Sequence, residues 1–286
     1  VSDNGGAKMM FRLLRSPGVT VDNVFHFPRE GRVQGIFAAL LFRRGQNVSS
    51  TSLAAAIWSD PPVSADANVR TYIAKLRRFL ADISPELHER LATVHGGYRF
   101  DILDGELDLA RSNELWNEGR RAMSRSDFRG AVEALQSASA LWAETPGQDV
   151  AAQGWLDHRF AMLREQRFAL AEDLAAARIA SGDGLSAIAG LPEIDDPNLA
   201  REKSAALMLV ACYRAGNLPA ALRIFAAARA TLRREFGVDP GSWLQTLHHA
   251  ALRRDDALLF SDQLLVSLSR DAEPRPQHSN LTARMA

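Results

Sequence analysis

Between positions 64 and 80 the chain reads SADANVRTYIAKLRRFL, and its apolar residues recur at helical spacing. At 100° per residue with Val69 at zero, Phe79, Tyr72, Leu76, Val69, Leu80 and Ile73 fall between roughly 280° and 40°, one apolar stripe. The opposite side holds Ala67, Thr71, Ala74 and Arg78. Arg70 and Arg77 border it on one edge, Asn68 and Lys75 on the other. Four cations against Asp66 leave the segment at +3. Small side chains let a backbone approach closely, and long cationic ones reach base edges and phosphates, so this side suits a DNA major groove. A solvated face on an ordinary amphipathic helix would look the same, so the surrounding elements decide.

Upstream, Ile36, Phe37, Leu40 and Leu41 keep helical spacing and Gly45 supplies a stop. A second short helix is predicted over residues 50–58, capped by Ser49 or Ser50, with Leu53, Ile57 and Trp58 on its buried side. Residues 59–63, SDPPV, end it, because consecutive prolines exclude helical continuation. Ser64 restarts the helix as its N-cap, where free backbone N–H groups can hold a phosphate. Helix, turn, basic helix is the order of a groove-reading unit. Downstream, LATVHGGYRFDI (91–102) reads as two short strands around the turn residues His95-Gly96-Gly97, a wing. Residues 11–27 read as a small antiparallel sheet. Trp58, Tyr72 and Ile73 are expected in the core.

From Asp108 onward strand signals nearly vanish and alanine, leucine and arginine dominate. Residues 126–142 (SDFRGAVEALQSASALW) and 216–232 (GNLPAALRIFAAARATL) correspond at Asp127/Asn217, Phe128/Leu218, Ala131/Ala221, Val132/Leu222, Leu135/Phe225 and Ala138/Ala228. Alanines at fixed helical intervals let antiparallel helices pack closely, the pattern of tetratricopeptide-like repeats. The fold class is therefore mixed: an N-terminal α+β winged helix-turn-helix domain, then an all-α tetratricopeptide-like helical repeat domain.

With 286 residues, two domains can each bury a core. The formal net charge is zero, but residues 1–105 carry 13 basic and 10 acidic side chains and the remainder 21 and 24. That asymmetry of +3 against −3 is modest, so the local field of the basic helix counts for more than the total. No apolar run reaches membrane-spanning length, and residues 1–8 lack the apolar core of a signal peptide, which predicts a cytoplasmic protein. The single cysteine, Cys212, excludes an internal disulfide framework and reads as a small buried residue. No catalytic, metal or cofactor site emerges. HExxH, GxSxG, CxxC and a phosphate-binding loop are missing, and adjacent His248 and His249 point about 100° apart on a helix, too divergent to share an ion. The protein is read as a non-enzyme.

The order of elements, with VRTYIAKLRRFL and TVHGGYRF, resembles the OmpR-type winged-helix DNA-binding domain. ELDLARSNELWNEGRRAM (106–123), LWAETPGQDV (141–150) and REFGVDPGSWLQTLHHAAL (234–252) resemble the bacterial transcriptional activation domain. Together they are similar to the Streptomyces antibiotic regulatory protein (SARP) family of transcriptional activators, over roughly residues 9–256. The chain departs from the family pattern in three places. The basic stretch before the first helix is reduced to Arg32-Val33-Gln34, Gly147 sits late, and residues 182–200 are interrupted by Gly, Pro and Asp. The resulting division is a disordered N-terminus at 1–8, a DNA-binding domain at 9–104, an activation domain at 106–256 and a mostly disordered tail at 257–286. No receiver, forkhead-associated or ATPase domain is expected.

The expected DNA-binding residues are Ser64, Asn68, Arg70, Thr71, Lys75, Arg77, Arg78, His95, Gly96 and Arg99. Arg70, Thr71, Lys75 and Arg78 are placed at bases or groove edges and Asn68 and Arg77 nearer phosphates. His95, Gly96 and Arg99 place the wing on the backbone or minor groove. The resemblance implies binding to direct repeats near the −35 region by head-to-tail protomers. It also implies recruitment of RNA polymerase through its sigma factor and other subunits, with residues 59–63 facing the polymerase. The expected target is a secondary-metabolite gene cluster. Two other readings stand beside this one: a helical-repeat interaction scaffold, and a repressor on the same fold. Nothing in the sequence marks an effector site on the repeats.

Overall fold

The computed structural model describes residues 9–189, 191 and 201–269. The expected N-terminal segment, 1–8, and residues 270–286 of the expected tail lie outside the described residues, as do 190 and 192–200. The described residues fall into two compact units. One is drawn from Val1–Gly119 and Gly130–Ala171, the other from Arg120–Arg129 and Glu172–Ala286.

The first unit opens with the predicted small sheet, three antiparallel strands β1 (Met9–Arg12), β2 (Gly18–Val21) and β3 (Val24–His26). Asp22 and Asn23 both take positive φ between β2 and β3, as a tight hairpin turn requires. Helix α1 (Gly31–Arg43) follows, buried from Val33 to Leu41; it ends at Arg44, in the left-handed conformation just before the expected stop at Gly45. After β4 (Val48–Ser49) comes α2 (Ser50–Ile57). Of the two serines offered as its cap it uses Ser49, whose hydroxyl accepts the Ser52 N–H at 3.1 Å. Helix α3 (Ala65–Ile83) runs three residues past the predicted end. A short helix the sequence did not announce, α4 (Pro85–Glu89), precedes the wing. The wing strands are β5 (Leu91–Val94) and β6 (Gly97–Phe100). Gly97 thus belongs to a strand rather than to the turn, and β4 pairs with β6 to widen the hairpin to three strands.

Phe11, Phe37 and Phe100 form the centre of this unit, each fully buried and edge-on to the others at centroid distances of 5.2–6.3 Å. Val69, Ile73, Leu76 and Leu80 of α3 are buried as the stripe predicts. Tyr72 and Trp58 are not core residues: both are half-buried, their rings 6.0 Å apart. The physical reason is polar company, since Arg32 donates to the Tyr72 hydroxyl at 3.3 Å and its guanidinium also lies over Trp58.

The same unit takes in the start of the helical half. Asp108, at the head of α5 (Asp108–Ser124), is buried and accepts the backbone N–H of Leu13 at 2.9 Å and of Leu14 at 3.2 Å. Burial pushes its carboxyl up to about 6, against the opposing pull of those N–H groups. After α6 (Phe128–Ser139), the segment leading into α7 (Gly154–Ala180) lies along α1 and α2. Ala151 N–H reaches the Gly31 carbonyl, Gln153 N–H the Ala56 carbonyl, and the Trp155 indole the Ser52 carbonyl at 3.0 Å.

The second unit is helical throughout its described residues. After the end of α7 come α8 (Gly184–Ile188), α9 (Glu202–Arg214), α10 (Leu218–Phe236) and α11 (Ser242–Arg253). Helix α9 is buried from Ser204 to Ala211. Within the interrupted stretch, the described residues form one short helix, the five-residue α8. Buried Glu172 and Asp173 are met by Arg201, Ser204, Lys203 and Arg120 at 2.7–3.1 Å, so these carboxylates are paired. The tail assignment begins too early: α12 (Asp256–Leu259) and α13 (Asp262–Ser269) are helical, and Leu264, Leu265 and Leu268 bury the last of the apolar periodicity.

The predicted repeat is visible residue by residue. Ala131, Ala134, Leu135 and Ala138 are buried in α6, as are Ala221, Ile224, Phe225 and Ala228 in α10. The repeat is also more frequent than the two copies read from the sequence. Ser126, Gly182, Gly216 and Arg254 all take positive φ at a helix C-terminus, and the residue after each sends its N–H five residues back. Those following residues are Asp127, Asp183, Asn217 and Asp255, and the last three cap the next helix through their side chains. Gly182 and Gly216 stand 34 residues apart, the tetratricopeptide period.

Candidate nucleic-acid interface

Helix α3 presents its polar side outward because its apolar stripe is held by α1 and α2, leaving Arg70, Thr71, Ala74, Lys75 and Arg78 exposed. The four cations differ in what they touch. Arg70 and Arg78 have no ion pair or hydrogen bond with any described residue. Lys75 Nζ lies 2.6 Å from Glu30, the residue preceding α1, with both side chains about half exposed. Arg77 turns to the wing, donating to Thr93 Oγ1 at 2.6 Å and to the Leu91 carbonyl at 3.4 Å.

Ser64 occupies the N-cap position, but its hydroxyl caps no backbone group; it accepts from the Asn68 amide at 3.2 Å instead. Asn68 is therefore a local brace and half-buried. Thr71 Oγ1 donates back to the Ala67 carbonyl, leaving its methyl group beside the small residues of the outward side. At the wing tip His95 and Gly96 are exposed. Gly96 sits at φ 73, a value a two-residue hairpin turn needs. The His95 carbonyl accepts from Asn47, which fixes the tip. Arg99 is tied bidentately to Asp101 at 2.9 and 3.3 Å. The ten expected residues thus lie on α3, at its start, or on the wing, and α3 and the wing are joined by Arg77.

Sequence reasoning missed Glu30 and Thr93, which hold two of the four cations, and Asn47, which fixes the wing tip. Their signal is three-dimensional, since Lys75 and Glu30 are 45 positions apart. Residues 59–63 form an exposed loop in which Val63 is fully exposed. Among the described residues no His, Cys, Asp and Glu side chains cluster as metal ligands, and no helix is long and apolar enough to cross a membrane.

A three-helix unit with a basic third helix and a β-wing, followed by paired helices in a repeating pattern, defines a winged-helix transcriptional regulator with a helical-repeat domain. Comparison with known proteins agrees. Residues 30–100 match the family "Transcriptional regulatory protein, C terminal" and residues 107–252 the "Bacterial transcriptional activator domain". The regulatory protein AfsR of Streptomyces coelicolor is 33% identical over 232 residues, 79% of this chain and 22% of that protein. The regulatory protein DnrI of Streptomyces peucetius is 28% identical over 247 residues, 84% of this chain and 89% of that one. The solved structure of Mycobacterium tuberculosis EmbR, in complex with a low-affinity phosphopeptide, shares the fold with a TM-score of 0.81 at 24% identity, covering 92% of this chain and 69% of that chain. The chain belongs to the Streptomyces antibiotic regulatory protein family. It spans about a fifth of the length of the AfsR proteins it matches.

Proposed function

We propose that the protein is a cytoplasmic, nucleoid-associated activator that binds promoter DNA by inserting α3 into the major groove. The observation that carries this reading is the pair of exposed guanidiniums on the polar side of α3, Arg78 opposite the buried stripe and Arg70 at its edge, neither with an ion pair or hydrogen bond to a described residue. Eight residues apart, they are separated by about 12 Å along the helix, a reach of three to four base-pair steps. Each guanidinium can meet guanine O6 and N7 with a two-donor fork. Ala67, Ala74 and the Thr71 methyl leave room for the groove floor between them.

Lys75 joins them by exchanging Glu30 for DNA, a small cost for an exposed ion pair. Arg77 acts chiefly as a positioning residue, holding the wing so that His95, Gly96 and Arg99 meet the backbone or minor groove; Ser64 and Asn68 lie at the phosphate edge. In this reading residues 9–104 recognise DNA and residues 106–256 carry activation. Protomers occupy direct repeats head to tail near the −35 region, and residues 59–63 face RNA polymerase and its sigma factor. The regulated genes belong to a secondary-metabolite cluster, and no cofactor, metal or catalytic step is involved. Membership of the family supports the antibiotic connection; the geometry supports the groove contact.

DNA footprinting across promoters neighbouring the encoding gene tests the reading. Protection of two or more same-orientation repeats, spaced by whole helical turns, is the expected result. Protection of an inverted repeat would overturn the head-to-tail arrangement, and no protection anywhere would overturn the DNA-binding reading.

A further inference from the structure

In the second unit, α10, the turn after it and α11 enclose a cavity of about 300 Å³ that the DNA-binding reading does not use. Phe225 and His248 form one wall, their rings stacked 3.8 Å apart and only 5° from parallel. His249 lies next to them with its ring centroid 5.7 Å from that of His248. Gln245 has its amide nitrogen fixed on the Pro240 carbonyl at 2.6 Å, which leaves its oxygen uncommitted.

Charge around the cavity is uneven in a specific way. Asp239 is already shared by two guanidiniums: Arg233 takes it through Nε and Nη2 at 2.9 and 3.0 Å, and Arg229 through Nε alone at 3.0 Å. The Nη1 and Nη2 groups of Arg229 therefore have no partner among the described residues, and neither do the ring nitrogens of His248 and His249. Glu202 of α9 accepts the Gly241 N–H at 2.8 Å. A cation would meet Arg229 first, and two neighbouring imidazoles on one helix cannot chelate it. Donors without acceptors beside a flat apolar wall call for an acceptor with an apolar body.

We infer that this cleft binds a small organic oxyanion, a carboxylate or a phosphate ester, with its charged end on Arg229, His248 and His249 and its apolar part against Phe225. The cavity volume matches the lower end of small-molecule sites. Burial, and then the neighbouring His249 and Arg229, hold the His248 imidazolium below its ordinary value. An anion in the cleft offsets those effects, so binding takes up protons. Asp239, which lines the cleft, is paired with Arg233 and Arg229, Glu202 is held by the Gly241 N–H, and Arg253 stands one helical turn beyond His249 on α11. The inference stands apart from the DNA reading, because its readout is ligand binding.

The test is titration of the full chain, with the histidine side chains observed by NMR, using benzoate, inorganic phosphate and the neutral analogue benzamide at constant ionic strength. Saturable shifts of His248 and His249 with benzoate or phosphate, and none with benzamide, are expected; which anion is preferred separates the two ligand sources. Benzoate stays ionised across the range in which imidazoles titrate, so its affinity should be about threefold tighter near pH 6 than near pH 8. Arg229→Gln and His249→Ala should each weaken binding about tenfold, the effect of removing a charge-assisted bond. His249 is exposed, so its variant keeps the fold. Absence of saturable shifts with both anions, an equal response to benzamide, or unchanged affinity in His249→Ala would overturn the inference.

Discussion

Helices α3 and α10 each run for 19 residues, bury one apolar stripe and line their outer side with arginine. By sequence pattern alone either could be a nucleic-acid helix. They differ in where the charges find partners. On α10, Arg229 and Arg233 converge on Asp239 and Arg234 pairs with Glu235, leaving of its arginines only Arg223 without an ion pair or hydrogen bond to a described residue. On α3, Arg70 and Arg78 make no ion pair or hydrogen bond with a described residue, while Lys75 and Arg77 are held by Glu30 and Thr93. A cation paired from within shapes the protein, as Arg233 and Arg229 do through Asp239, which anchors the turn after α10. A basic face left unsatisfied is available to an external polyanion. The number of cations says little; the location of their counter-charges says most.

The largest effect expected from that distinction belongs to a charge whose partners are all internal. Asp108→Ala leaves the N–H groups of Leu13 and Leu14 buried without an acceptor and should cost about 2–4 kcal/mol of stability by chemical denaturation. The pH dependence has a definite sign. The folded carboxyl titrates at about 6 and the ordinary one at 3.8, so the folded state binds more protons between those values. This contribution to stability is complete below the ordinary value and is lost as pH rises through the folded one. At neutral pH the loss amounts to about 3 kcal/mol. Asp108→Asn should remove that fall when its stability is compared with wild type near pH 4 and near pH 7.

Next come the charges with no internal partner. Arg70→Ala and Arg78→Ala should each cost about 1–3 kcal/mol in operator binding with thermal stability almost unchanged. The matched α10 double variant, Arg229→Ala with Arg233→Ala, should leave DNA affinity as it was in the same gel-shift titration. A loss of affinity in the α10 pair equal to that in α3 would erase the contrast between the helices. The smallest effect belongs to the intermediate case, Lys75, whose ion pair with Glu30 is half exposed. Glu30→Gln should raise DNA affinity by a factor of about two to five and leave the fold intact. Weaker binding in Glu30→Gln would show that Glu30 orients Lys75 rather than competes for it.

Much of this organisation was legible in the sequence, because helix periodicity, caps and turn residues act over a few positions. The buried stripe of α3, the wing around His95 and Gly96 and the correspondence of α6 with α10 all follow from spacing of that kind. What escaped depends on distant partners. The bond from Arg77 to Thr93 joins positions 16 apart, and Asp108 reads as a helix start until Leu13 and Leu14 close on it from some 95 positions away. Tyr72 and Trp58 fit the apolar stripes, but Arg32 holds them at the surface. The four equivalent turns were hidden for another reason. Ser126 and Arg254 do in two of them what glycine does in the others, so the shared feature is a backbone conformation and not a residue type.

The salt dependence of operator affinity in wild type, Arg70→Ala and Arg78→Ala, measured against a scrambled duplex, tests the central claim most directly. A guanidinium reading bases from α3 predicts that each variant loses discrimination between operator and scrambled DNA while the slope of log affinity on log salt changes little. A phosphate-only contact would weaken binding to both duplexes alike and reduce the slope by about one. Variants that bind the operator as tightly as wild type at every salt concentration would contradict the assignment of α3 as the DNA-reading helix.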